Sequence, residues 1–229
     1  MLTKEDIRDI IEECRQIGAS GLRNGIKADI PEIKVDILKP PRDFLGVNGN
    51  PAIFINQDTY KLLGSIHRNW ILNKTIALKP GFLLKNTIDI IGIIIHETGH
   101  AFNVAAKIDN TEANAYIFEI EVLLKLLETD SPLLFGCTKE DVGAFFKTRL
   151  PDYNKAQRSN RYLANLIDEI KDQFKLEEIM LPPAETPKEM KRGVPTIFVT
   201  SRYTLFAVPT DSYWGREYNI VMSKINAAL

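Results

Sequence analysis

The sequence is poor in cysteine, in one-signed charge and in long hydrophobic runs, and each shortage removes a class of protein. Cys14 and Cys137 are its two cysteines in 229 residues. That is too few for a disulfide scaffold, and they are not spaced as a metal-binding pair, so they read as reduced, packed thiols. Basic and acidic residues number 29 and 30 and are interspersed, giving a formal net charge of −1. No positive stripe is available to neutralise a phosphate backbone, so nucleic acid is not an expected partner. The longest apolar stretch, 88–95, contains Asp89 and Gly92 and falls well short of the roughly 20 residues that cross a bilayer. No membrane contact is expected. The opening segment MLTKEDIRDIIEECRQ lacks the basic start and unbroken apolar run of a Sec signal, which points to a cytosolic location.

What is present is the balance of a globular domain, with 45% hydrophobic and 26% charged residues. Thr3 and Asp6 have the spacing of a helix start, and Ile7, Ile10, Ile11 and Cys14 recur at helical period up to Gly18. Ile- and Val-rich segments at 33–38 and 52–56 read as strands, and 70–72 with 75–78 as a hairpin or one bent strand. Asn86 and Asp89 open a helix that runs through His96 and His100, the pattern breaks at 108–111, and a second helix covers about 112–128. Further helices are expected after Thr138 and over about 156–176. The segment 181–195, LPPAETPKEMKRGVP, reads as a loop, followed by a hairpin at 196–199 and 203–208 and a helix from about 217. The expected class is α+β, with a small sheet beside a central helix and a mainly helical second half. Residues 1–180 form the main domain, and 181–229 a loop, hairpin and terminal segment packed on it.

Histidine is scarcer than chance requires, with three in the chain, yet two of them stand in IIIHETGHAFN. His96 and His100 lie four residues apart, which on an α-helix puts both imidazoles on one face, one turn apart, able to grip one ion. Zinc suits that donor pair. Glu97 flanks the same face, where its carboxylate can take a proton from a water polarised by the ion. A catalytic zinc takes a third protein ligand. The metzincin arrangement is ruled out, because the positions three and six after His100 hold Asn103 and Ala106.

His96, Glu97 and His100 together with the downstream TEANAYIFEIEVLL resemble the gluzincins, and in particular the ligand helix of the ImmA/IrrE-type metallopeptidases and of compact bacterial toxin peptidases. The resemblance implies a zincin-like fold, a zinc-dependent endopeptidase acting on a protein substrate, and Glu112 as third ligand. Geometry alone leaves that ligand open. Were the first helix to reach about Lys107 and the second to return antiparallel, Glu119 would stand level with His100. Asp109 and Glu121 are further candidates. Asp109 and Glu112 also have capping-box spacing, a purely structural use for Glu112. Glu112 and Glu119 share one helix face, so the second carboxylate can instead brace a histidine ligand.

Three other expectations concern the rest of the site. The donor for an oxyanion is sought in SYWGREY, at Tyr213, Arg216 or Tyr218, because no histidine follows His100. His67 reads as a surface or turn histidine. The strand at 75–78 is either the edge that pairs with an extended substrate or a buried strand with no free edge. A short peptidase of this kind is similar to the metalloprotease effectors that bacteria inject into host cells. That likeness implies delivery into a host cytosol without a Sec signal and a host protein such as actin as substrate. A cytosolic protease that cleaves a repressor or antitoxin, and a non-catalytic zinc-binding interaction protein, are the alternatives.

Overall fold

Thr3 and Asp6 start the first element by capping each other. The Thr3 hydroxyl accepts the Asp6 N–H, and the Asp6 carboxylate accepts the Thr3 N–H at 2.6 Å. Helix α1, Lys4–Ser20, follows with Ile7, Ile10, Ile11 and Cys14 as its buried stripe. The computed structural model describes residues 2–39, 44–46, 49–63, 67–176 and the strands 196–200 and 204–208. The chain divides into two compact units, Met1–Glu177 and Glu178–Leu229.

In the first unit, β1 (Lys34–Ile37), β2 (Ala52–Phe54) and β3 (Thr75–Leu78) form a sheet of order β1-β3-β2. β1 runs parallel to β3 and β2 antiparallel to it. β3 is therefore central, with both edges paired, and all four of its residues are buried. Strand alternation sends Ile76 and Leu78 into the main core and Ala77 into a smaller cluster with Leu38, Leu45, Ile55 and Leu63. Residues 70–72 form no strand arm. Asn73 adopts a left-handed φ of 59°, and the Lys74 N–H closes a turn on the Ile71 carbonyl. A short helix unannounced by the apolar pattern, α2 (Gln57–Leu63), follows β2, with Asn56 Oδ1 accepting the Thr59 N–H at 2.8 Å at its start.

Four longer helices complete the unit: α3 (Thr87–Ala105), α4 (Glu112–Glu128), α5 (Lys139–Ala156) and α6 (Arg161–Phe174). With six helices and a small sheet among the described residues, the fold is α+β. α5 runs through Pro151 to Ala156, and the helix expected from about 156 begins at Arg161, capped by Asn160. α3 lies in the middle, in contact with α1, α4, α5 and β2. Gly92 lets α5 come that close, because a Cβ there would sit 2.1 Å from the Phe145 ring. No helix among the described residues is long and apolar enough to cross a membrane.

In the second unit, β4 (Thr196–Thr200) pairs antiparallel with β5 (Thr204–Val208), the hairpin expected there. The proline-rich segment and the expected terminal helix lie outside the described residues.

Candidate metal centre

The HETGH segment occupies the C-terminal half of α3, where the helix meets α4. Gly99 sets their separation: a Cβ on it would lie 3.1 Å from the Ala115 carbonyl oxygen and 3.1 Å from Phe118 Cβ. α3 ends at Ala105, as the Ala106 N–H bonds the Phe102 carbonyl and the Ile108 N–H that of Asn103. Lys107 turns the chain through a left-handed φ of 57°. α4 then begins with Thr111, not Asp109, as its N-cap, and the Thr111 hydroxyl accepts the Asn114 N–H. Glu112 is consequently the first helical residue, and its side chain has no capping duty.

That side chain lies against both imidazoles. His96 Nε2 is 3.2 Å from Glu112 Oε2, and His100 Nε2 is 3.6 Å from Glu112 Oε1. The three candidate ligand atoms all lie within 4.8 Å of one another. The other ring nitrogens are already used. His96 Nδ1 is 2.8 Å from Glu119 Oε2, and His100 Nδ1 donates to Asn110 Oδ1 at 2.8 Å. Acceptors at both Nδ1 positions leave both Nε2 atoms facing the Glu112 carboxylate, the tautomer and orientation a metal site requires. The donor set fits zinc: two imidazoles, one carboxylate and a side left open, since the Glu112 side chain is 62% exposed.

Behind His96 the surroundings are closed. Glu119 is fully buried, and Arg149 reaches it through Nε at 3.2 Å and Nη2 at 2.9 Å, while the Tyr153 hydroxyl donates to Oε1. Arg149 Nη2 also stands 3.5 Å from His96 Nδ1. Both nitrogens carry hydrogens directed at Glu119, so that approach is not a bond between them. Without a metal, burial opposes charge on His96, but hydrogen bonds to Glu112 and Glu119 outweigh it and raise its pKa to about 10. Glu112 and Glu119 resist burial in the same way: His96 holds the first, and Arg149 with His96 the second, at about 2.

Glu97 is placed by a different neighbour. β2 is the edge strand beside α3. Its Ile55 N–H and Pro51 carbonyl bond toward β3, so alternation turns the Phe54 N–H outward. Glu97 Oε2 accepts that N–H at 2.6 Å. Its other oxygen has no hydrogen-bond partner among the described residues. The substrate-pairing edge considered for 75–78 is thus not there, because β3 is enclosed; the sheet edge next to α3 is that of β2, where the Phe54 N–H is taken by Glu97 and the Phe54 carbonyl accepts from the Thr59 hydroxyl at 3.2 Å.

The remaining candidates lie elsewhere or outside view. Glu121 accepts the Arg23 N–H at 2.7 Å and the Tyr162 hydroxyl at 2.6 Å, a bond set that ties a loop and α6 to α4. Asp109 is exposed, and its carbonyl accepts from Asn114 Nδ2. His67 is a turn residue, its carbonyl accepting the Trp70 N–H, but not a surface one: it is 6% exposed, stacks on Trp70 at 3.8 Å and donates from Nε2 to the Phe44 carbonyl. Tyr213, Arg216 and Tyr218 lie outside the described residues. Conversely, Asn110, Tyr116, Arg149 and Tyr153 surround the histidines without having been singled out. Arg149 and Tyr153 stand one turn apart on α5, but nothing in that spacing refers to a motif some fifty residues earlier. Compared with known proteins, the chain matches no family model, no curated protein and no solved structure.

Proposed function

We propose that this chain is a zincin-like, zinc-dependent endopeptidase in which His96, His100 and Glu112 hold the ion and Glu97 is the general base. The observation that carries the reading is the convergence of both Nε2 atoms and the Glu112 carboxylate on one point with an open side. A structural zinc is enclosed by four protein ligands, whereas a catalytic one keeps a position for water. Among the described residues no fourth histidine, cysteine or carboxylate joins the group.

The ion, when bound, would act as a Lewis acid toward water and the substrate carbonyl. The chain's own residues supply the rest. Glu119 and Asn110 fix the two rings through their Nδ1 atoms. Glu97, anchored at Oε2 by Phe54, has Oε1 available to receive the proton of the attacking water and to return it to the departing amine. A protein substrate follows from this reading, and a host cytosolic protein such as actin remains the substrate that the likeness to injected effectors implies.

Glu97→Gln tests it. The substitution preserves volume and keeps an acceptor for the Phe54 N–H, so fold and zinc content should match the parent while peptide hydrolysis falls by about three orders of magnitude or more. Hydrolysis within about tenfold of the parent would remove Glu97 from the mechanism.

A further inference from the structure

Three tyrosines pack around α4, and their hydroxyls have different fates. Tyr153 gives its hydrogen to Glu119 and Tyr162 to Glu121. Tyr116, only 7% exposed, has no hydrogen-bond partner for its hydroxyl among the described residues. Buried phenols ordinarily find one. Nor is the oxygen sealed away, since the fully enclosed orphan atoms are Asn73 Oδ1 and Asn103 Oδ1.

The ring itself is firmly held. Tyr116 lies one turn after Glu112 on the same face of α4. Its ring centroid is 4.9 Å from that of His96 and 5.0 Å from that of Tyr153, and the Arg149 guanidinium carbon sits 5.0 Å from it. The ring is thus fixed in place against a candidate ligand, and its hydroxyl has no acceptor among the described residues. Arg149, the other donor near His96, has Nε and Nη2 committed to Glu119.

From this geometry we infer that Tyr116 is a further catalytic residue, whose phenol donates a hydrogen bond to the scissile carbonyl oxygen as that oxygen becomes an oxyanion. The inference rests on the peptidase reading above. As the water oxygen bonds to the carbonyl carbon, its proton passes to Glu97 and the carbonyl π pair moves onto oxygen. The tyrosine keeps its proton and holds the charge by hydrogen bonding. The C–N bond then breaks, the carbonyl re-forms, and Glu97 returns the proton to the amine. The role sought in the SYWGREY segment is thereby filled within the first unit.

The test is Tyr116→Phe, which retains the ring and its packing, in the full chain loaded with zinc. Zinc affinity and binding of an N-phosphoryl dipeptide, whose tetrahedral phosphoryl oxygens mimic the oxyanion, are both measured by calorimetry. The expected result is unchanged zinc affinity, at least about tenfold weaker phosphoramidate binding, and a kcat on peptides lowered about 100-fold with KM little altered. Equal phosphoramidate affinity in the two proteins overturns the role, as does a variant that loses zinc, because the hydroxyl would then be holding the metal centre together. A parent that binds zinc but not the phosphoramidate overturns it while leaving the metal centre standing. A parent that binds no zinc overturns the peptidase reading, and this inference with it.

Discussion

On one side of the His96 ring, at Nε2, are His100 and the largely exposed Glu112; on the other, at Nδ1, are the buried Glu119 and Tyr153 and the mostly buried Arg149. Two glutamates seven residues apart on one helix serve these two sides. One is largely exposed, with its oxygens spread across two imidazoles. The other has no exposure, and its charge is matched by a bidentate guanidinium. The lesson is that burial and not residue type divides the labour: a site can bind and release only where it is open, and it can be rigid only where it is closed.

The largest expected effect would break the closed side. Glu119→Ala leaves the Arg149 cation, 19% exposed, without its main partner, and removing one member of a buried pair costs about 3 to 5 kcal/mol. Glu112→Ala, at a mostly exposed position, should change the stability of the metal-free protein by no more than about 1 kcal/mol. Urea unfolding of both variants in the presence of a chelator checks this. Equal losses would erase the distinction between the two sides.

A smaller effect follows from the charges that both glutamates place on His96. In the metal-free protein its pKa is raised from an ordinary 6.5 to about 10. The stabilisation it provides is complete below 6.5 and disappears as pH rises through 10. The glutamates, lowered from 4.5 to about 2, contribute fully above 4.5 and lose their contribution as pH falls through 2. Thermal unfolding of the metal-free chain should therefore be most resistant between about pH 4.5 and 6.5. Zinc competes with the Nε2 proton of His96, so the loaded protein should lack the alkaline decline. A decline of the same size with and without zinc would contradict the protonation of His96.

The open side was more legible in the sequence than the closed one, for a physical reason. His96, Glu97 and His100 are joined by helical period, so local spacing encodes the two histidines of the candidate donor set, whereas Glu112 is named by the family resemblance and spacing alone leaves Glu119 open beside it. Glu119 was visible as a helix-mate of Glu112, but its partners on α5 come from tertiary packing that no local period records. The same limit governs the sheet. The apolar residues of β3 announce a strand, yet its central place depends on pairing with two distant segments, and the turn at Asn73 depends on one left-handed residue. α5 continues through Pro151, with Phe145, Phe146, Leu150 and Tyr153 all buried along its length.

The most direct test of the two-sided account is a zinc titration of the parent, Glu112→Ala and Glu119→Ala, with thermal unfolding recorded on the same samples. Loss of a bracing residue lowers metal affinity by roughly 10- to 100-fold, so the affinity of Glu119→Ala should fall in that range and that of Glu112→Ala below it. Unfolding should rank the two the other way. If Glu119→Ala empties the site while Glu112→Ala keeps its zinc and only melts earlier, the ligand and the brace have been exchanged and the account is wrong.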